Sequence, residues 1–146
     1  MWCGVVGVAA FIGVISQKGD VGKSTRARLV AREYGAAGWQ VKIPDLDVSQ
    51  GASTDWKQRR ECSSIKPDIA VEPKVAQLCD PAVFEGQPPH SMAGTLEITN
   101  VSDAVILPTG LGLNDLKPSA LLTYDFINNH IPAKRLAFCA LSGWRS

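Results

Sequence analysis

Phe11-Ile-Gly-Val-Ile-Ser-Gln-Lys-Gly-Asp-Val-Gly-Lys-Ser-Thr-Arg-Ala27 opens on a short uncharged apolar run, crosses a glycine-rich turn and enters a helical pattern. An apolar run that stops at such a turn is how a buried parallel strand ends. Beyond Gly22, residues Ala27, Val30, Ala31 and Tyr34 recur at three- and four-residue steps, and Gly35 and Gly38 supply stop signals, so a helix is predicted from about Gly22. Strand, loop and helix in this order let backbone amides surround an anion at a helix N-terminus. Glycine allows the close approach. Lys23 would then pair with the β and γ phosphates of a nucleotide, and the Ser24 hydroxyl would ligate Mg²⁺. The amides of Gly19, Asp20, Val21, Gly22, Lys23, Ser24 and Thr25 would form the cradle. The ordinary phosphate-loop consensus is not met, because its first glycine falls on Gln17.

Outward from this stretch, short apolar runs alternate with helical patterns. Trp39, Val41 and Ile43 alternate as a second strand, and Ser53–Arg60 begins with capping residues and continues as a short polar helix. Lys66–Glu72 reads as a loop with a brief extended piece, followed by a small helical patch at Val75–Cys79. Ala82–Phe84 is a third strand ending at Glu85-Gly86, Ala104–Leu107 a fourth and Leu136–Leu141 a fifth. A helix from about Leu116 carries Pro118 in its first turn. Strands alternating with helices predict an α/β fold, a mainly parallel sheet with helices on both faces in three layers α/β/α, and the phosphate-loop reading of Lys18–Thr25 makes it P-loop NTPase-like. Ligands bind beyond the carboxyl ends of such strands.

Composition narrows the partners. The 146 residues are 45% hydrophobic and carry a formal charge of +1, which excludes a strongly basic nucleic-acid binder and an acidic disordered tail. Cys3, Cys62, Cys79 and Cys139 form no C-x-x-C pair, which favours reduced thiols in a cytoplasmic protein. Residues 1–15 are apolar and uncharged, shorter than the ~20 residues that span a bilayer and without the basic start of a signal peptide, so no membrane association is expected. The expected organisation is an apolar extension over residues 1–10 and a single domain over residues 11–146.

Lys18-Gly-x-x-Gly-Lys-Ser-Thr25 resembles the deviant Walker A box of the ParA/MinD partition and positioning ATPases, whose hallmark is the additional lysine before the glycines. The likeness extends to Val41-Lys-Ile-Pro-Asp-Leu-Asp47 with Ser49-Gln-Gly51, similar to the family's second strand and D-x-D segment. Ala82-Val-Phe-Glu-Gly86 with Pro88 resembles its switch II strand, and Ser102–Pro108 the strand after that. The resemblance implies an ATP-dependent homodimer that sandwiches two nucleotides, with Lys18 as the signature lysine reaching the partner's ATP. It further implies Mg²⁺ supported by Asp45 and Ser24, with Glu85 at the switch II acid, and a water oriented by Asp47. A partition partner protein and non-specific DNA are the partners it implies. Asp45 and Asp47 stand two apart on an extended segment, which lets both carboxylates face one phosphate end.

Two positions depart from the family pattern. Asp20 replaces the second loop glycine, and at ~6 Å with an effective dielectric of ~20 its repulsion of one phosphate charge is on the order of 3 kcal/mol, roughly a hundredfold in affinity. Glu85 stands where the family usually has aspartate. The chain also stops at Ser146, just beyond the fifth strand, whereas the family continues through further strand and helix units. Three readings follow: a Mg²⁺-dependent partition-type ATPase, a nucleotide-binding interaction module with little turnover, and a truncated fragment of such an ATPase. Lys57, Arg59 and Arg60 form the densest basic cluster, read as a solvated helix face before a DNA contact, and Trp56 reads as a helix-packing residue. His90, after two prolines, is a loop histidine without an identified partner.

Overall fold

The computed structural model describes residues 11–16, 22–44, 52–72, 82–85 and 92–140. The elements in chain order are β1 (Phe11–Val14), α1 (Lys23–Ala36), β2 (Lys42–Pro44), α2 (Ala52–Cys62), β3 (Ala70–Glu72), β4 (Ala82–Glu85), α3 (Met92–Val101), β5 (Ala104–Thr109), α4 (Leu113–Asn128) and β6 (Leu136–Ala140). The strands form one sheet in the order β3-β2-β4-β1-β5-β6, and every neighbouring pair is parallel. The order reverses at β1. From β1 the chain moves through α1 to one side of the sheet, whereas from β4 it crosses through α3 to β5 on the other side. That reversal is the topological switch point, where open α/β sheets leave a crevice at the carboxyl ends of their strands.

Each face of the sheet has its own core. Ile12 and Val14 of β1 pack with Ala27 and Ala31 of α1 and with Val41, Ile43 and Ile69; Trp56 of α2 lies against this cluster. Ile15, one step out of phase, joins Val105 and Leu107 of β5, Leu122 and Phe126 of α4, and Ile131, with Leu96 and Ile98 of α3 alongside. Alternate residues along β1 and β5 thus feed opposite layers, as the two-residue strand period requires. This is the three-layer architecture expected from the sequence. Gly13 fits the same scheme: a Cβ there would come 2.9 Å from the Ser102 hydroxyl, so its bare backbone lets the end of α3 sit close against β1.

Helix α1 ends as its glycines predict. Gly38 has φ +91°, its N–H donates to the Gly35 carbonyl, and the Trp39 N–H donates to the Tyr34 carbonyl, which makes a Schellman closure. The Tyr34 and Trp39 rings meet edge to face at 6.1 Å, the apolar contact that accompanies such closures. Trp39 therefore belongs to the end of α1 and not to the second strand, which begins at Lys42.

Three further differences from the sequence reading have physical causes. Ala70–Glu72, read as a brief extended piece in a loop, is the edge strand β3, and three residues are too few to show a period. Met92–Val101 forms α3 although Thr95, Ile98, Thr99 and Val101 are weak helix formers; the buried Thr99 hydroxyl donates to the Thr95 carbonyl at 2.7 Å, so tertiary burial carries the helix. Helix α4 starts at Leu113 after Gly112, which puts Pro118 in its interior. The ring can be tolerated there because the carbonyl it leaves without a donor belongs to the exposed Asn114, where water can replace the bond. The apolar extension at residues 1–10, the patch at residues 75–79 and His90 lie outside the described residues. No helix among the described residues is long and apolar enough to cross a membrane.

Candidate functional site

The amino end of α1 lies where β1 delivers the chain, at the switch point of the sheet. Gly22 takes φ 69°, ψ 35°, a left-handed conformation that glycine adopts without penalty, and its carbonyl accepts the Arg26 N–H at 3.1 Å. No side chain caps this helix and no acidic residue occupies its first turn. The first turn is Lys23, Ser24, Thr25 and Arg26. Lys23 is buried, Ser24 half-buried and Thr25 exposed, while Ser16 beyond the end of β1 is buried. A helix start with a buried lysine and no acid is electrostatically suited to an anion, because the first-turn N–H groups and the positive end of the helix dipole add to the lysine charge.

The register places the switch II candidate close by. Val14 aligns with Glu85 across the β1–β4 pair, so the backbone of Glu85 ends the neighbouring strand beside the carboxyl end of β1. Asp45 follows Pro44, the last residue of β2, which is the next strand over from β4. Gly22, Lys23, Ser24 and Thr25 are thereby gathered at one rim with the end of β4. Lys18, Gly19, Asp20, Val21, Asp45 and Asp47 lie outside the described residues, and of Glu85 only the backbone is described. Among the described residues no group of three His, Cys, Asp or Glu side chains forms a metal cluster.

Arg26 is the residue the sequence reading missed. It is 4% exposed, and its guanidinium Nη2 donates to the Thr109 carbonyl at 3.5 Å, at the carboxyl end of β5. The available signal was position: Arg26 stands three residues after Lys23 and four before Val30, inside the stripe that α1 turns toward the sheet.

The basic cluster on α2 is engaged locally. Arg60 donates to the Pro67 carbonyl at 2.7 Å and its guanidinium lies 4.9 Å from the Trp56 ring centre, with Arg28 of α1 5.8 Å from the same ring. Arg59 donates to the Asp55 carbonyl, and Lys57 pairs with Glu61 at 3.5 Å. Trp56 therefore packs on the core and also takes two cations over its ring, contacts worth about 0.5–1 kcal/mol each where solvent reaches them. A shallow cavity of about 250 Å³ between α2 and the start of β3 is lined by Lys57, Arg60, Glu61 and Asp68. It lies at the amino ends of the strands, on the rim opposite the α1 start.

An open parallel sheet whose strand order reverses at β1, with helices on both faces, defines a three-layer α/β protein with the fold of P-loop proteins. Solved structures agree with that class. The chain is similar to a plasmid partition protein of Borrelia burgdorferi bound to AMPPNP, with a TM-score of 0.73 and 14% identity over 94% of this chain and 78% of that one. It is similar to a ParA family ATPase from Chlorobium tepidum, with a TM-score of 0.64 and 14% identity over 95% and 76% of the two chains. The kinase domain of the Escherichia coli tyrosine kinase ETK matches with a TM-score of 0.67 and 12% identity over 94% and 69%. No family model and no curated protein matches the sequence. At these identities the likeness establishes the fold, and that fold is the one the Lys18–Thr25 resemblance implied.

Proposed function

We propose that this chain binds ATP at the β1–α1 junction and acts as a Mg²⁺-dependent ATPase of the partition type. The observation that carries the reading is the start of α1. Lys18-Gly-Asp-Val-Gly-Lys-Ser-Thr25 leads from a central parallel strand, through a left-handed Gly22 at the cap position, to a helix whose first turn holds a buried Lys23 and no acid. A fold shared with both partition ATPases and a tyrosine kinase domain leaves the chemistry to the site. The two-lysine spacing of Lys18 and Lys23 favours the partition type, and the partition protein carrying AMPPNP supports a nucleotide as the ligand.

In this reading Gly19, Asp20, Val21 and Gly22 with the amides of Lys23, Ser24 and Thr25 hold the phosphates. Lys23 neutralises the β and γ phosphates, and Lys18 reaches the nucleotide of a second copy. The Ser24 hydroxyl, Asp45 and Glu85 are hard oxygen donors suited to Mg²⁺, which when bound would draw charge off the phosphate oxygens. Asp47 orients the attacking water. An ATP-dependent homodimer, a partition partner protein and non-specific DNA complete the proposal.

The test is thermal unfolding of the chain titrated with Mg-ATP, with Lys23→Ala as control, because a ligand that binds only the folded state raises stability with log concentration. A transition that rises in the parent and stays fixed in Lys23→Ala is expected; one blind to ATP in both chains would refute the reading. Asp20→Gly is expected to tighten ATP, by up to about a hundredfold if the full repulsion acts. A second reading, nucleotide binding without turnover, is favoured by Asp20 in the loop and Glu85 at the position of the family aspartate. It predicts the same thermal shift with no phosphate release.

A further inference from the structure

Arginine is almost never fully buried unless it is partnered, and a charge at the positive end of a helix opposes the macrodipole. Arg26 does both. It lies one turn into α1, at 4% exposure, on the same stripe as Lys23 at 7%. Two buried cations therefore stand within the first turn of a helix that has no acidic residue there.

The guanidinium has a defined seat. Its Nη2 is on the Thr109 carbonyl, and its Nη1 is 3.1 Å from where a Cβ on Gly22 would stand. Gly22 thus has two reasons to be glycine: its positive φ, and the guanidinium laid against its backbone. On the far side, the Thr109 hydroxyl donates to the Gly110 carbonyl, and the Asp115 carboxylate covers Gly110 so closely that a Cβ could not fit. One side chain spans from the exit of the glycine-rich loop to the turn between β5 and α4.

We propose that Arg26 is a positioning residue of the phosphate site: it pins the Gly22–Lys23 junction to the carboxyl end of β5 and adds a buried positive charge that biases the site toward polyphosphates. This rests on the nucleotide-binding reading above. Arg26 acts through the placement of Gly22 and Lys23, and its charge strengthens the pull on a triphosphate more than on a monophosphate because Coulomb attraction scales with ligand charge.

The experiment is calorimetric titration of the full chain with ATP free of Mg²⁺ and with AMP at two salt concentrations, for the parent, Lys23→Ala, Arg26→Gln and Arg26→Lys. Arg26→Gln is expected to weaken ATP about tenfold and AMP less than about threefold, and to flatten the salt dependence of ATP binding. Arg26→Lys keeps the charge but loses the planar fork, and is expected to lose at least about threefold in ATP affinity with the salt dependence kept. Unchanged ATP affinity in a folded Arg26→Gln would overturn the proposal, and so would equal losses for ATP and AMP with an unaltered salt response, the mark of packing alone. Should Arg26→Gln fail to fold, Arg26→Lys decides: weaker ATP supports the proposal and parental affinity overturns it. A parent that binds no ATP, indistinguishable from Lys23→Ala, would sink the nucleotide reading itself and this proposal with it.

Discussion

The two edges of the sheet end in different ways. At one edge β3 is three residues long and half-buried, Lys42 of β2 pairs with Glu72 at 3.6 Å, and α2 packs alongside. At the other, β6 runs Leu-Ala-Phe-Cys-Ala without a charge, Phe138 is 56% exposed, and α4 beside it shows Leu113, Leu121, Tyr124 and Ile127 to solvent. Short, charged edge strands are protected from pairing with other chains, whereas a flat apolar edge is a template for it. The lesson is that the interior of this fold is symmetric about β1 while its rims are not: each face has a filled core, but among the described residues the β3 edge carries the charges and the β6 edge the exposed apolar side chains.

Mutations can break or sharpen that contrast. If both interiors are equally closed, Phe126→Ala should cost about 3–5 kcal/mol in urea unfolding, since Phe126 is the largest fully buried side chain of the α4 side. Ile43→Ala, fully buried on the α1 side, should cost about 2–5 kcal/mol in the same measurement. A loss below 1 kcal/mol at either position would show one face to be loosely packed. Gly38→Ala should cost about 1 kcal/mol in thermal unfolding, because φ +91° strains any side chain even though nothing lies within 4 Å of its Cβ.

At the rims, effects on stability shrink and effects on association separate. Glu72→Gln should cost about 0.5 kcal/mol or less and the loss should vanish in molar salt, as for other half-exposed ion pairs. Phe138→Lys should leave stability within about 0.5 kcal/mol of the parent while lowering concentration-dependent light scattering. Scattering unchanged by that lysine would mean that the β6 edge is not the adhesive one.

The sheet and its order of elements were legible because β1, β4 and β5 are apolar runs bounded by turn residues, and α1 carries a clear stripe closed by Gly38. The hidden elements were those whose local preferences disagree with their structure. Helix α3 is rich in β-branched residues and stands on the burial of Thr95 and Thr99, which no local pattern reveals. Strand β3 gains its pairing only from β2. At the candidate site, Lys23 and Ser24 were singled out by the residue types and spacing that a phosphate-binding helix start would require, and they stand in the first turn of α1. Arg26 was not, because an arginine on a helix is ordinarily assigned to water, and only the position of Thr109 shows where its guanidinium goes.

The all-parallel sheet also sets a timetable for the growing chain. Phe11 pairs with Ala82 and Ile12 with Ala104, so the central strand has no neighbour until residue 82 has been made. At a synthesis rate of roughly 5–20 residues per second, β1 waits about 4 to 14 seconds for its first partner. During that interval its apolar residues are exposed. Release of this chain as a folded product therefore depends on what shields Phe11–Ile15 while it emerges, and chaperone demand should fall most on its first half.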